Sequence, residues 1–139
     1  MRRQSLRGRS SVAAQTTGQS DLAKRYATAF FDLALEQDQV DQLAGELGDL
    51  RNLMRDSADL SRLVRSPIVS RADQGAAMAA LIARAGMSGL VANLVGLMAK
   101  NRRLFALEDT IEAFQTLLAE HRGEVSAEVT SANALKPAH

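Results

Sequence analysis

The chain is constrained first by the breadth of apolar surface on one short helical segment. Residues 22–34 read LAKRYATAFFDLA, with a helical period but no single apolar stripe. At 100° per residue, Leu22, Ala23, Tyr26, Ala27, Phe30, Phe31, Leu33 and Ala34 spread over roughly 200° of the circumference. A helix packed on one core needs an arc of little more than about 100°. A second segment near 89–101 repeats the pattern: Leu90, Val91, Ala92, Leu94, Val95, Leu97, Met98 and Ala99 cover roughly 220°. They leave Asn93, Gly96 and Lys100 as the polar strip. Such breadth has two readings. Either both helices are central and buried by neighbours on all sides, which is the commoner reason for a broad apolar face, or part of the surface is covered by another molecule.

The remaining segments read as ordinary surface helices with local start and stop signals. Ser20 is placed to cap a first helix running to about Gln37, with Asp21 in its first turn. From about Val40, Leu43, Leu47, Leu50 and Met54 fall on one stripe. Ser57 is placed to cap a short third helix carrying Leu60, Leu63 and Val64, which ends before Pro67 because proline disfavours helical conformation in the preceding residue. Ser70 with Asp73 opens an Ala-rich fourth helix, and Gly86 closes it. A sixth helix is predicted from about Glu108 to His121, with Leu107, Ile111, Phe114, Leu117 and Leu118 on one face and Gly123 as its stop. After it, Val125, Ala127 and Val129 alternate with Glu124, Ser126, Glu128 and Thr130, the period of a strand. The expected fold is therefore all-α, a six-helix bundle with a short orphan strand near the C-terminus. A lone strand leaves its backbone groups unpaired, so 124–139 is expected to be disordered, extended from the sixth helix, or paired with another chain.

With 139 residues, 46% hydrophobic and 24% charged, the chain has the material for one domain with its own core. The formal net charge of +1 hides an asymmetry, because Arg2, Arg3, Arg7 and Arg9 lie in an acid-free tail over 1–20 and the remainder is net acidic. That tail has the composition of a disordered basic extension or of a mitochondrial transit peptide. The organisation expected is a basic tail over 1–20, a helical domain over 21–123 and a further segment over 124–139.

The residue inventory excludes most chemistry. There is no cysteine, so no disulfide or thiolate site. His121 and His139 stand apart, the first read as sitting at a helix end, and neither has the company of a metal or catalytic site. No phosphate-cradling GxxxxGK[ST] loop exists, and the Gly86-Met87-Ser88-Gly89 turn lacks the following lysine. Carboxylates are scattered singly on polar faces. No enzyme activity, cofactor or metal is expected. The apolar stretch from Ala85 to Ala99 is shorter than the roughly 20 residues that a membrane-spanning helix requires.

Four blocks carry a family resemblance: Lys24-Arg25-Tyr26-Ala27-Thr28-Ala29-Phe30-Phe31-Asp32-Leu33-Ala34, Ser66-Pro67-Ile68, the run from Asn93 to Leu104, and Arg122-Gly123-Glu124-Val125-Ser126-Ala127-Glu128-Val129-Thr130-Ser131-Ala132. In order and spacing they resemble the delta subunit of bacterial F-type ATP synthases, called the oligomycin-sensitivity-conferring protein in mitochondria. The resemblance implies a six-helix N-terminal domain followed by a smaller C-terminal domain, whose signature lies beyond His139. The segment 124–139 is accordingly expected to be the truncated start of that C-terminal domain, and the chain to hold the stalk's b subunits poorly. It also implies a non-catalytic stator subunit that links the catalytic head to the peripheral stalk in support of proton-driven ATP synthesis. The implied partners are the N-terminal helices of the alpha subunits, bound in a groove of the first and fifth helices, and the b subunits of the stalk. The implied location is the cytoplasmic face of a bacterial inner membrane, or the matrix side of the mitochondrial one, with membrane contact only through the complex.

The first and fifth helices are the two that the chain over-supplies with apolar surface, so residue pattern and resemblance meet on a helix-in-groove mode. The groove is expected to use Tyr26, Ala29 and Phe30 on the first helix and Asn93, Leu94 and Leu97 on the fifth. A rival from another class is an all-helical RNA-binding module using the arginine tail and Lys100-Asn101-Arg102-Arg103. The acidic body and the apolar context of most of the few aromatic residues argue against it, and no nucleic acid is expected.

Overall fold

Helix boundaries follow side-chain caps and left-handed turns, each satisfying backbone groups that a helix end leaves open. The computed structural model describes the backbone of residues 21–135 and the side chains of residues 21–124. The helices are α1 (21–36), α2 (Val40–Asp56), α3 (Ala58–Arg65), α4 (Arg71–Arg84), α5 (Gly89–Lys100) and α6 (Leu107–Leu135), with a 3-10 turn at Leu104–Ala106 before α6. The Ser57 hydroxyl accepts from the Leu60 N–H at 3.1 Å, and the Ser70 hydroxyl from the Asp73 N–H at 3.1 Å, as the sequence predicted. Ser66 makes the corner before Pro67, its hydroxyl accepting the N–H groups of Ile68 and Val69.

Three helices end in the same way. After α1, α4 and α5, two backbone N–H groups fold back onto the final turn: Asp38 to Leu35 and Gln39 to Ala34, Gly86 to Ala83 and Met87 to Ile82, Arg102 to Ala99 and Arg103 to Met98. This double bond requires a left-handed residue in the middle. Its φ is 55° at Asp38, 71° at Gly86 and 59° at Arg102. Glycine takes that conformation at no steric cost and aspartate tolerates it, whereas an arginine there carries about 1 kcal/mol of backbone strain.

One core receives side chains from all six helices. Leu43, Leu47, Leu50 and Met54 form the buried stripe of α2. Phe114 of α6, fully buried, sits between the rings of Phe30 and Phe31, with centroids at 5.7 and 5.4 Å, a spacing in the favourable range for tilted and edge-on aromatic pairs. α4 lies closely against α5, and a β-carbon added at Gly75 would sit 3.4 Å from that of Ala99. Small residues permit that approach.

Three expectations are corrected. Glu124 to Thr130 is not a strand: α6 continues unbroken to Leu135, and no strand occurs among the described residues. Val125 and Val129 are also four apart, so the alternation satisfies a helical spacing equally well. Continuing the helix pairs backbone groups that a lone strand would leave open. Gly123 therefore lies inside the helix, where glycine costs about 1 kcal/mol relative to alanine. His121 likewise is not at a helix end: it lies within α6, its ring edge-on to Phe31 at 5.7 Å. The basic tail, the capping role of Ser20 and residues 136–139 lie outside the described residues.

Candidate functional site

The excess apolar surface of α1 and α5 resolves into a buried stripe and an adjoining strip on each helix. On α1 the core takes Ala23, Ala27, Phe30, Phe31 and Ala34, an arc of roughly 100°. Leu22, Tyr26 and Leu33 fall beside that arc and are half-buried, and Ala29 continues the strip in the open. On α5 the core takes Val91, Leu94, Val95, Met98 and Ala99. Leu90 is half-buried beside them, and Asn93 and Leu97 are exposed. Leu97 is 49% exposed, on a helix where the other large apolar side chains are covered or half-covered.

The two strips are joined at one point. Tyr26 Oη accepts a hydrogen bond of 3.1 Å from Asn101 Nδ2, tying the middle of α1 to the C-terminal cap of α5. Of the six residues expected to form a groove, Tyr26, Ala29, Asn93 and Leu97 stand at least partly open. Phe30 and Leu94 are buried at 5% and 7%, Phe30 against Phe114. Leu22, Leu33, Leu90 and Asn101 complete the strips and were not singled out from sequence. The signal for them was present: 22, 26, 29 and 33 on one helix and 90, 93, 97 and 101 on the other follow the three-four spacing of a narrow helix seam.

The position of α5 is set from outside its own sequence. Its N-cap residue Ser88 makes no side-chain cap; instead the Ser88 N–H donates to Glu46 Oε1 of α2 at 2.7 Å, while Gln42 Nε2 donates to Glu46 Oε2 at 2.9 Å. Partial burial pushes the Glu46 carboxyl up, but these donors outweigh it and hold the group below the ordinary carboxylate range. At the start of α4, Gln74 is 3% exposed and donates from Nε2 to the carbonyls of Leu63 at 2.8 Å and Ser66 at 3.1 Å. A side chain of one helix thereby satisfies the open C-terminus of another.

Within the basic cluster at 100–103, the Arg102 side chain and the Lys100 carbonyl are tied to neighbouring segments. Arg102 Nη1 donates to the carbonyl of Val69 at 2.6 Å, and Arg71 Nη1 to that of Lys100 at 3.2 Å. Among the described residues no group of three or more His, Asp or Glu is placed to hold a metal ion, and no helix is long and apolar enough to cross a membrane.

Residues 22–139 match the family described as ATP synthase delta (OSCP) subunit. Proteins named ATP synthase subunit delta are similar over most of the chain. The one from Rhodospirillum centenum is 52% identical over 124 residues, which are 89% of this chain and 67% of that protein. That from Rhizobium leguminosarum bv. trifolii is 50% identical over 119 residues, 86% of this chain and 63% of the relative. That from Parvibaculum lavamentivorans is 50% identical over 119 residues, 86% and 61%. The chain thus spans about two thirds of the length of these relatives, and it belongs to the ATP synthase delta (OSCP) subunit family.

Proposed function

We propose that this chain is a non-catalytic stator component of an F-type ATP synthase. Its six helices form a bundle that ties the catalytic head to the peripheral stalk by receiving alpha-subunit N-terminal helices along α1 and α5. The reading is supported above all by Leu97, a large apolar side chain left 49% exposed on a helix whose other large apolar side chains are buried or half-buried. With Leu90 beside it and Leu22, Tyr26 and Leu33 on α1, it offers apolar surface of the kind an amphipathic helix covers. Asn93 and Asn101 provide polar groups at the edge, and the Tyr26 hydroxyl, already bonded to Asn101, keeps one polar end at the surface.

In this reading the role is mechanical. The bound helices and, in the complete assembly, the b subunits of the stalk share a load that supports proton-driven ATP synthesis. The protein sits at the cytoplasmic face of a bacterial inner membrane and touches the bilayer only through the complex. The test is affinity for a synthetic alpha-subunit N-terminal peptide: tight binding to the chain, lost in Leu97→Glu, supports the reading, and failure of the unmodified chain to bind refutes it.

A further inference from the structure

We infer that the corner where the α3–α4 loop meets the C-terminal turn of α5 is a second docking site, which takes an acidic peptide segment carrying an apolar side chain. The corner is concave, with Val64, Pro67, Leu104 and Phe105 supplying apolar lining and Arg65 and Arg102 lying at its edge. Phe105 is 44% exposed and the adjoining Ile68 91%. Among the described residues Ile68 is almost uncovered and Phe105 only partly covered, so a single apolar side chain of a partner would find a seat there.

The two charged side chains that line this seat, Arg65 and Arg102, are both cationic, and the exposed Asp73 carboxylate lies two residues from Arg71. Arg65, Arg71, Lys100, Arg102 and Arg103 are exposed and, among the described residues, none is ion-paired, whereas Arg55, Arg62 and Arg122 elsewhere each have a carboxylate partner. The bonds from Arg102 to the Val69 carbonyl and from Arg71 to the Lys100 carbonyl join the segments that carry these cations, so those two guanidinium groups are held in place before any ligand arrives. Fixed guanidinium groups suit carboxylates, which they bind in charge-assisted pairs.

Arg102 is the most informative residue of the corner. It occupies a left-handed position at φ 59°, where the equivalent turn after α4 uses glycine. Glycine would close the same turn without strain, so what the arginine adds is its side chain. A strained residue of this kind points toward a functional use of the group it carries. Phosphates of a nucleic acid would also meet the cations, but Pro67 and Ile68 offer no ring for base stacking and Phe105 is the one aromatic side chain in the lining.

The experiment uses the full chain and a fluorescein-labelled peptide of glutamates interrupted by leucine and phenylalanine, read by fluorescence anisotropy. The chain should bind this peptide, about tenfold or more tightly than the same peptide with glutamine in place of glutamate. Arg102→Gly should lose about tenfold in affinity while melting close to the unmodified chain, because relief of the left-handed strain offsets loss of the bond to the Val69 carbonyl. Arg65→Gln, at an exposed helix end, should lose affinity in the same direction, and Arg84→Gln, exposed at the far end of α4, should leave it unchanged. The inference is overturned by absence of peptide binding, by equal affinity for the glutamine peptide, or by retained affinity in both arginine variants. Tighter binding of an oligouridylate or of phosphatidylglycerol vesicles than of the peptide overturns it too.

Discussion

Removing the amide of Gln74 should unfasten α3 from α4. The side chain is 3% exposed and donates to two carbonyls, at 2.8 Å to Leu63 and 3.1 Å to Ser66. Gln74→Leu keeps the bulk and removes both donors. A neutral hydrogen bond contributes about 1 kcal/mol net, and an acceptor left unpaired away from water costs somewhat more. The Leu63 carbonyl keeps its bond from the Ser66 N–H, at 3.4 Å, so most of the loss falls on Ser66, and the sum is about 2 kcal/mol. For a domain of this size that lowers the melting temperature by about 8 °C. Gln74→Glu should be worse at neutral pH, because it puts a carboxylate against two carbonyl oxygens. Burial and those oxygens raise its folded pKa above the unfolded value, so the penalty grows as pH rises above the unfolded value and fades toward acid, where a protonated carboxyl donates again. Urea unfolding followed by far-ultraviolet circular dichroism measures both. A Gln74→Leu midpoint shifted by less than the equivalent of about 0.5 kcal/mol, or a Gln74→Glu variant no weaker than Gln74→Leu at pH 7, would refute the capping role.

Two further outcomes follow from packing and charge at other helices. Phe114→Ala removes the ring that holds Phe30 and Phe31 and should cost about 4 kcal/mol, read as a lowered urea midpoint, with a loss under about 1 kcal/mol contradicting the placement of the core. Glu46→Gln tests the cap on α5: because the folded carboxyl is held below its ordinary value, its stabilisation is present above that value and is lost as pH falls through the lowered one. The variant should therefore be slightly less stable than the unmodified chain at neutral pH and converge with it in acid, and parallel stability curves across pH would rule the cap out.

What was legible in the sequence was local. Ser57, Ser70 and Gly86 mark helix ends because each acts on backbone within a few residues, and Leu43, Leu47, Leu50 and Met54 declare their stripe by spacing alone. The caps supplied by Gln74 and Glu46 were not legible, since their partners lie on other helices. The turns at Asp38 and Arg102 lacked the glycine that signals a left-handed residue. The segment after Gly123 was misread because two valines four apart within an alternating run fit two periods, and only backbone pairing decides between them. The breadth of apolar surface on α1 and α5 was visible, but breadth does not say which edge belongs to the core. Phe30 and Leu94 lie on the core side, while Ala29, Asn93 and Leu97 lie on the open side.

The central claim, that the uncovered strips of α1 and α5 receive a partner helix, is tested most directly at Leu97. Leu97→Glu places a carboxylate where the partner's apolar face would exclude water, which costs on the order of 2 kcal/mol of binding, roughly thirtyfold in affinity. The side chain is 49% exposed in the free chain, so the fold should hold. Titrating an alpha-subunit N-terminal peptide into the unmodified and variant chains, with a thermal melt of each, reads both quantities. The account predicts an affinity loss near thirtyfold with melting temperatures within a few degrees of one another; unchanged affinity, or a variant that unfolds, would contradict it.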